Sequence, residues 1–408
     1  MKAKRINYNV ILLSMTLFFP AVGNYICTAI NMLLSTTLRA SISQEFFDGV
    51  VWALVIALCI PVFMEKLNAR HIMVLLCLWS AALLMCLFGL SAEFNTERLA
   101  MLCLTLFPMF LVGSVIEVKK EDFKYLYWIA IFVVIISIAY QSYKISGGDV
   151  IKEDNMDFSY KLLPAVLVVV SGMFYNKKKA LSIVLGVAAI LTIVLQGTRG
   201  PVLCIAIFLI IMLVKKFGIL KLIPAILALL VLVIAFSSSE VYETTMTSIA
   251  EFVEDMGMSP RFIEMFLEEE LADDNGRQEL HDAILAEIGE HPFKFRGLYA
   301  DREILNPITG SNNSYVHNIF YELIVDFGAF FGVVIFLAVI ISTLVTVIRT
   351  KMEKLYLVNL LAMSGFVMLF VSGSFADDPL IYVLMGVICQ AKLSGRKGKV
   401  QNEIAVDM

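Results

Sequence analysis

Asn312-Asn313-Ser314-Tyr315-Val316-His317-Asn318 closes the only long hydrophilic run in this chain, and the apolar residues resume directly after it. The run opens after Phe236, and the stretch it belongs to ends at Gly332. Between residues 237 and 316 lie 17 acidic and five basic side chains, most simply read as a solvated face. Elsewhere the chain is greasy: of 408 residues, 59% are hydrophobic and 17% charged, against about 45–50% apolar and roughly 25% charged in a soluble domain. That balance points to an integral membrane protein whose apolar helices hold one polar lobe. Structureless loops of this length are uncommon without a function, so the lobe reads as a lid or roof over a site. A plain extramembrane connector is the simpler alternative.

Crossing a hydrocarbon core of roughly 30 Å takes about 20 apolar residues. On that ruler twelve spans are expected, at about 8–35, 46–64, 71–91, 98–117, 125–146, 158–175, 180–197, 200–214, 218–236, 318–348, 355–373 and 378–392. The fold class is therefore all-α, a polytopic membrane helix bundle with one large helical extracytoplasmic loop. Its parts are an N-terminal bundle (1–236), the loop (237–317), C-terminal membrane helices (318–392) and a tail (393–408). The tenth span is too long for a straight crossing. Gly328 is its expected break, with 317–327 as a tilted segment leading into the span proper.

Orientation follows from the basic residues, which stay in the cytoplasm during insertion. With the N-terminus inside, alternate loops collect 21 of the 32 lysines and arginines, among them Lys177/Lys178/Lys179 and Arg349/Lys351/Lys354. Both termini are then cytoplasmic, and the lobe and the turn from Gln196 to Pro201 share the outer face. The opening Met1-Lys2-Ala3-Lys4-Arg5 and its apolar sequel run to about Leu34 with no small-residue cleavage site, so a retained first span is expected rather than a signal peptide. A net charge of −4 offers no basic face for nucleic acid. All seven cysteines lie in apolar runs, which favours small buried hydrophobes over disulfides or zinc ligands.

Several residues could carry chemistry. Gly197-Thr198-Arg199-Gly200-Pro201 interrupts two apolar runs at the outer interface. The glycines allow a tight turn, and Pro201 suits the first turn of the next helix. Arg199 would be fixed at that junction, and guanidinium is the side chain best matched to phosphate. An arginine anchoring a helix end at lipid headgroups is the equal alternative. Within the lobe, Asp273, Asp274 or Asn275 can cap a helix whose Leu280, Ile284 and Ile288 repeat every four residues and which ends near Gly289 and Pro292. Phe262 and Phe266 suggest a further amphipathic helix. Arg277 opens the capped helix. His317, next to Asn318 and one turn before Glu322, could serve as a general base. Metal-ligand spacings of the HExxH type are absent.

Taken in order, the Thr198-Arg199-Gly200 turn, the large loop with Gly276-Arg277 and His291-Pro292, and His317-Asn318 leading into Glu322 and Gly328 resemble the O-antigen ligase and polymerase superfamily. The resemblance covers about 180–375. It implies a GT-C-type membrane fold and a metal-independent glycosyltransferase with no cofactor. Arg199 and Arg277 would bind the pyrophosphate of an undecaprenyl-linked glycan, and His317 would activate the acceptor hydroxyl. Arg296, Arg302, Asn318 and Glu322 are further candidate substrate contacts. The chain departs from the family at Phe293-Lys294-Phe295-Arg296-Gly297, where two glycines are usual and only Gly297 fits. Implied partners are lipid-linked donor and acceptor, the bilayer and a chain-length regulator. A polymerase of O-antigen, capsule or exopolysaccharide repeat units is the preferred reading, over a ligase acting on lipid A core. The rivals from other classes are a twelve-span secondary transporter and a scaffold without chemistry.

Overall fold

A computed structural model describes residues 8–37, 43–87, 96–117, 121–146, 154–194, 198–221, 224, 247–248, 250–252, 277–310 and 314–391. Among them there is no strand, and the architecture is an all-α polytopic bundle. In chain order the helices are α1 (Tyr8–Thr37), α2 (Gln44–Lys66), α3 (Ala69–Leu87), α4 (Thr96–Met101), α5 (Phe107–Val115), α6 (Phe123–Ser146), α7 (Asp154–Tyr175), α8 (Lys179–Val194) and α9 (Arg199–Phe217). Then come α10 (Arg277–Glu290), α11 (Ala300–Thr309), α12 (Ile319–Arg349), α13 (Met352–Ala362) and α14 (Pro379–Ala391). A π-helical turn, Leu102–Leu106, joins α4 to α5, and α13 runs on through a second one, Met363–Val367.

Six helical stretches are long and apolar enough to cross a membrane, or seven if the bent pair within α1 counts as one span. Four shorter apolar helices fall where further spans were expected. One of them, α8, has 16 residues, which reach about 24 Å at 1.5 Å per residue, short of a full hydrocarbon core. Among the described residues there are thus six or seven full-length spans, and the expected twelve are not confirmed. Most of the expected ninth span, 218–236, lies outside them, as do the Phe262/Phe266 stripe and the caps Asp273, Asp274 and Asn275.

The helix α7 is the bundle's axis. Leu162, Leu163 and every residue from Ala165 to Val170 are buried, because α7 is apolar on all faces and α1, α6, α8, α9 and α13 surround it. The outer helices instead turn Leu54, Met64, Leu83, Val184 and Ile210 outward, the apolar coat a bilayer accepts. Cys27, Cys59 and Cys204 are buried as expected, whereas Cys77 is exposed on α3. In lipid, close backbone approach replaces the hydrophobic drive between helices, and small residues permit it. Gly113 on α5 lies against the Val383 carbonyl, and Gly386 on α14 against Ser114 N; a Cβ at either would overlap backbone.

Two features position the lobe. The stripe of α10 docks as expected: Ile284 is fully buried with Ala300, Leu305, Val316 and Val325, and Leu280 and Ile288 pack beside them. Truncating Ile284 to alanine would cost about 2–5 kcal/mol. The long helix α12 does break at Gly328, whose φ of +75° and ψ of 158° are open to glycine and strained for other residues. The break leaves backbone groups that the lobe then satisfies. Arg296 N and Gly297 N donate to the Asp326 carbonyl at 3.1 and 2.8 Å, and Ala329 N donates to the Pro292 carbonyl at 2.7 Å. The departure at 293–297 thus folds into the clasp that holds the break.

Candidate active site

Asn318 starts α12: its Oδ1 accepts the Phe320 N–H at 2.9 Å, the capping role expected of Asn ahead of an apolar helix. His317, just before it, has φ +54°, a left-handed conformation costing a non-glycine residue on the order of 1–3 kcal/mol. Its surroundings hold that strain. Val316 N donates to Asp301 Oδ2 at 3.1 Å, and a His281 ring nitrogen lies 3.1 Å from the Val316 carbonyl. The Tyr315 ring centre lies 4.0 Å from that of the imidazole, and the Tyr315 hydroxyl accepts the Gly373 N–H at 3.2 Å.

The turn Val371-Ser372-Gly373 is where the separated motifs meet. Arg277, the first residue of α10, donates from Nη1 to the Val371 carbonyl at 2.6 Å. Gly200, the residue after Arg199 on the first turn of α9, sits so close that a Cβ there would overlap the Tyr160 hydroxyl and come within 3.0 Å of Val371 Cγ1. Arg199 itself is half-buried. The first turns of α9 and α12, together with Arg277 on α10, therefore converge on one turn. Helix N-termini carry partial positive charge and free N–H groups, so this convergence and two guanidinium groups favour an anion.

Burial lowers the His317 pKa to about 3, with the positive charges of Arg277, His281 and Arg302 adding to the effect. The imidazole is neutral at any physiological pH, and its Nδ1 is buried without a hydrogen-bond partner among the described residues. Burial also raises the Tyr315 hydroxyl, so that side chain stays protonated.

Arg302 does not share this anion-facing position. It is 1% exposed, and it donates from Nη1 to Asp301 at 2.8 Å and Glu322 at 3.4 Å, and from Nη2 to Asp377 at 2.7 Å. Burial pulls its pKa down, but Asp301, Asp377, Glu322 and Asp326 outweigh that and hold it well above the ordinary value. Glu322 accepts in addition from Ser374 Oγ and, at 3.2 Å, from Phe375 N. Arg302 and Glu322 thus form an ionic clasp that ties α11 and α12 to the 371–378 turn, in place of the direct substrate contacts expected of them. Asn318 is occupied by its capping bond, and Arg296 pairs with Glu287, whose pKa that bond lowers. Among the described residues no group of three His, Cys, Asp or Glu is placed to hold a metal ion.

The structure brings His317 and Arg277 to one turn and puts the start of α9, with Arg199, against it. Sequence reasoning missed Tyr315, Tyr160 and the turn itself. The signal for the turn was there: Gly373, Ser374, Asp377 and Asp378 break an apolar run, and ionised groups at such depth are costly unless used.

No curated protein and no solved structure matches the chain. Residues 184–337, which carry Arg199, Arg277, His317 and the Gly328 break, match the family described as O-antigen ligase. That match spans 154 of the 408 residues and supports a relation to the O-antigen ligase and polymerase superfamily.

Proposed function

We propose that this protein is a glycosyltransferase acting outside the cytoplasmic membrane, with both termini inside. It joins glycan repeat units carried on undecaprenyl pyrophosphate. The observation that carries this reading is the meeting of Arg277, the Arg199 turn and a neutral His317 at Val371–Gly373. The donor's pyrophosphate binds at Arg199 and Arg277 beside the helix N-termini. An acceptor sugar hydroxyl attacks the anomeric carbon, and the bond from that carbon to the pyrophosphate oxygen breaks. His317 takes the hydroxyl proton, and the arginines stabilise the charge gathering on the leaving group. One displacement inverts the anomeric centre.

Purified protein in proteoliposomes, supplied with lipid-linked repeat units, tests this directly. Ladders of increasing chain length are expected. Transfer onto lipid A core with no ladder would move the assignment to ligation, the activity the family description names. Solute uptake without any glycan product would replace both with a transporter.

A further inference from the structure

At the end of α12 opposite to His317 there is a second site, independent of the catalytic reading. A cavity of about 600 Å3 opens between the C-terminus of α12, the start of α13, the end of α5 and α14. Arg349, Lys351 and Lys354 line it, on the side that the lysine and arginine asymmetry assigns to the cytoplasm. Two acids also line it. Glu117 is already paired with Lys66 at 3.2 Å, which leaves Glu353 against three cations. Deeper in, the cavity wall includes Tyr356, which is 1% exposed and whose hydroxyl has no hydrogen-bond partner among the described residues.

The rest of the lining is apolar, with Ile116, Val345 and Val387 among it. From its edge, Ile341, Leu344 and Ile348 form an exposed stripe along one face of α12. A ligand matching this site needs an anionic head for the three cations and a hydrocarbon tail for the stripe. The volume suits a headgroup with its glycerol, since small-molecule sites span roughly 300–1,000 Å3. We propose that this cavity binds an anionic phospholipid of the cytoplasmic leaflet, its phosphate held by Arg349, Lys351 and Lys354. Basic cavities between membrane helices on that side suit such headgroups.

The test is native mass spectrometry of the full-length protein in detergent, titrated with phosphatidylglycerol or phosphatidylcholine. Saturable binding with preference for phosphatidylglycerol is expected. The double variant Arg349→Gln/Lys354→Gln should weaken it by about twenty-fivefold, at about fivefold for each charge near the membrane surface. Lys351→Gln alone removes one exposed charge and should weaken phosphatidylglycerol about fivefold with little change for phosphatidylcholine, which keeps the test sound if the double variant does not fold. Equal binding of the two lipids, or unchanged phosphatidylglycerol binding in a folded variant, overturns the proposal. So does displacement of the lipid by millimolar inorganic phosphate, which would make the site one for free phosphate.

Discussion

Replacing Arg302 with methionine separates a structural arginine from one that works on substrate. Its side chain and that of Asp301 are fully buried and that of Glu322 is 1% exposed, whereas Asp377 is 49% exposed. The Asp377 contact is solvent-screened and contributes on the order of 0–1 kcal/mol. The other two are different: removing the guanidinium leaves Asp301 and Glu322 facing each other in a dry site, and breaking such a buried pair costs about 3–5 kcal/mol. Methionine fills much of the volume, so lost charge rather than a cavity dominates. The unfolding midpoint in detergent, followed beside protein abundance in membranes, is expected to fall by several degrees. Neutralising the stranded acids in Arg302→Met/Asp301→Asn/Glu322→Gln should recover a large part of the loss. An Arg302→Met protein with unchanged midpoint and abundance but no glycan transfer would refute the clasp and return Arg302 to the substrate.

Arg199→Lys and Arg277→Lys keep a charge but lose the planar fork; each is expected to lower transfer by about 10²–10³-fold with abundance unchanged, measured by ladder formation in membranes. The pH profile follows from His317, which must be neutral to accept a proton and whose pKa lies at about 3 in the free protein. Because burial and the Arg277 charge both lower that value, kcat/KM should show no loss from His317 down to strongly acid pH, and Arg277→Gln should move the acid fall upward. An acid limb near the ordinary histidine value in the unaltered protein would contradict this. Gly328→Ala meets φ +75° with ψ 158° and a contact of 3.0 Å with the Phe293 carbonyl, at about 1–3 kcal/mol for that glycine-only backbone alone; reduced thermal stability is the expected readout.

What could be read from the sequence were the features that local chemistry determines. A glycine inside an apolar run of 31 residues has few uses besides a break, and Gly328 makes one. Leu280, Ile284 and Ile288 recur at helical spacing, so their common face was visible before any partner was known. The number of full-length spans was less legible, because hydropathy does not distinguish a 16-residue apolar helix from a complete crossing. Long-range pairing was not legible at all. Arg302 looks like any lobe arginine next to Asp301, and nothing local says that Glu322, 20 residues on, and Asp377, 75 residues on, close around it. Tyr315 went unassigned for the same reason, since its partner Gly373 is 58 residues away.

These long-range contacts also give the proposed base its timing. In the free site Arg277, His281 and Arg302 all oppose a proton on His317, and burial opposes it most. A base so depressed accepts a proton poorly, which looks unfavourable for catalysis near neutral pH. Pyrophosphate bound at Arg277 reverses part of this, because its negative charge offsets the cationic field and favours an imidazolium. Burial still acts, so the recovery is partial. His317 would therefore become an effective proton acceptor only beside a bound donor, and the acceptor hydroxyl would be activated only when there is an anomeric carbon to attack. The Arg302 clasp adds to this by holding Val316 through Asp301, which keeps the strained His317 backbone in place while the charge around it changes.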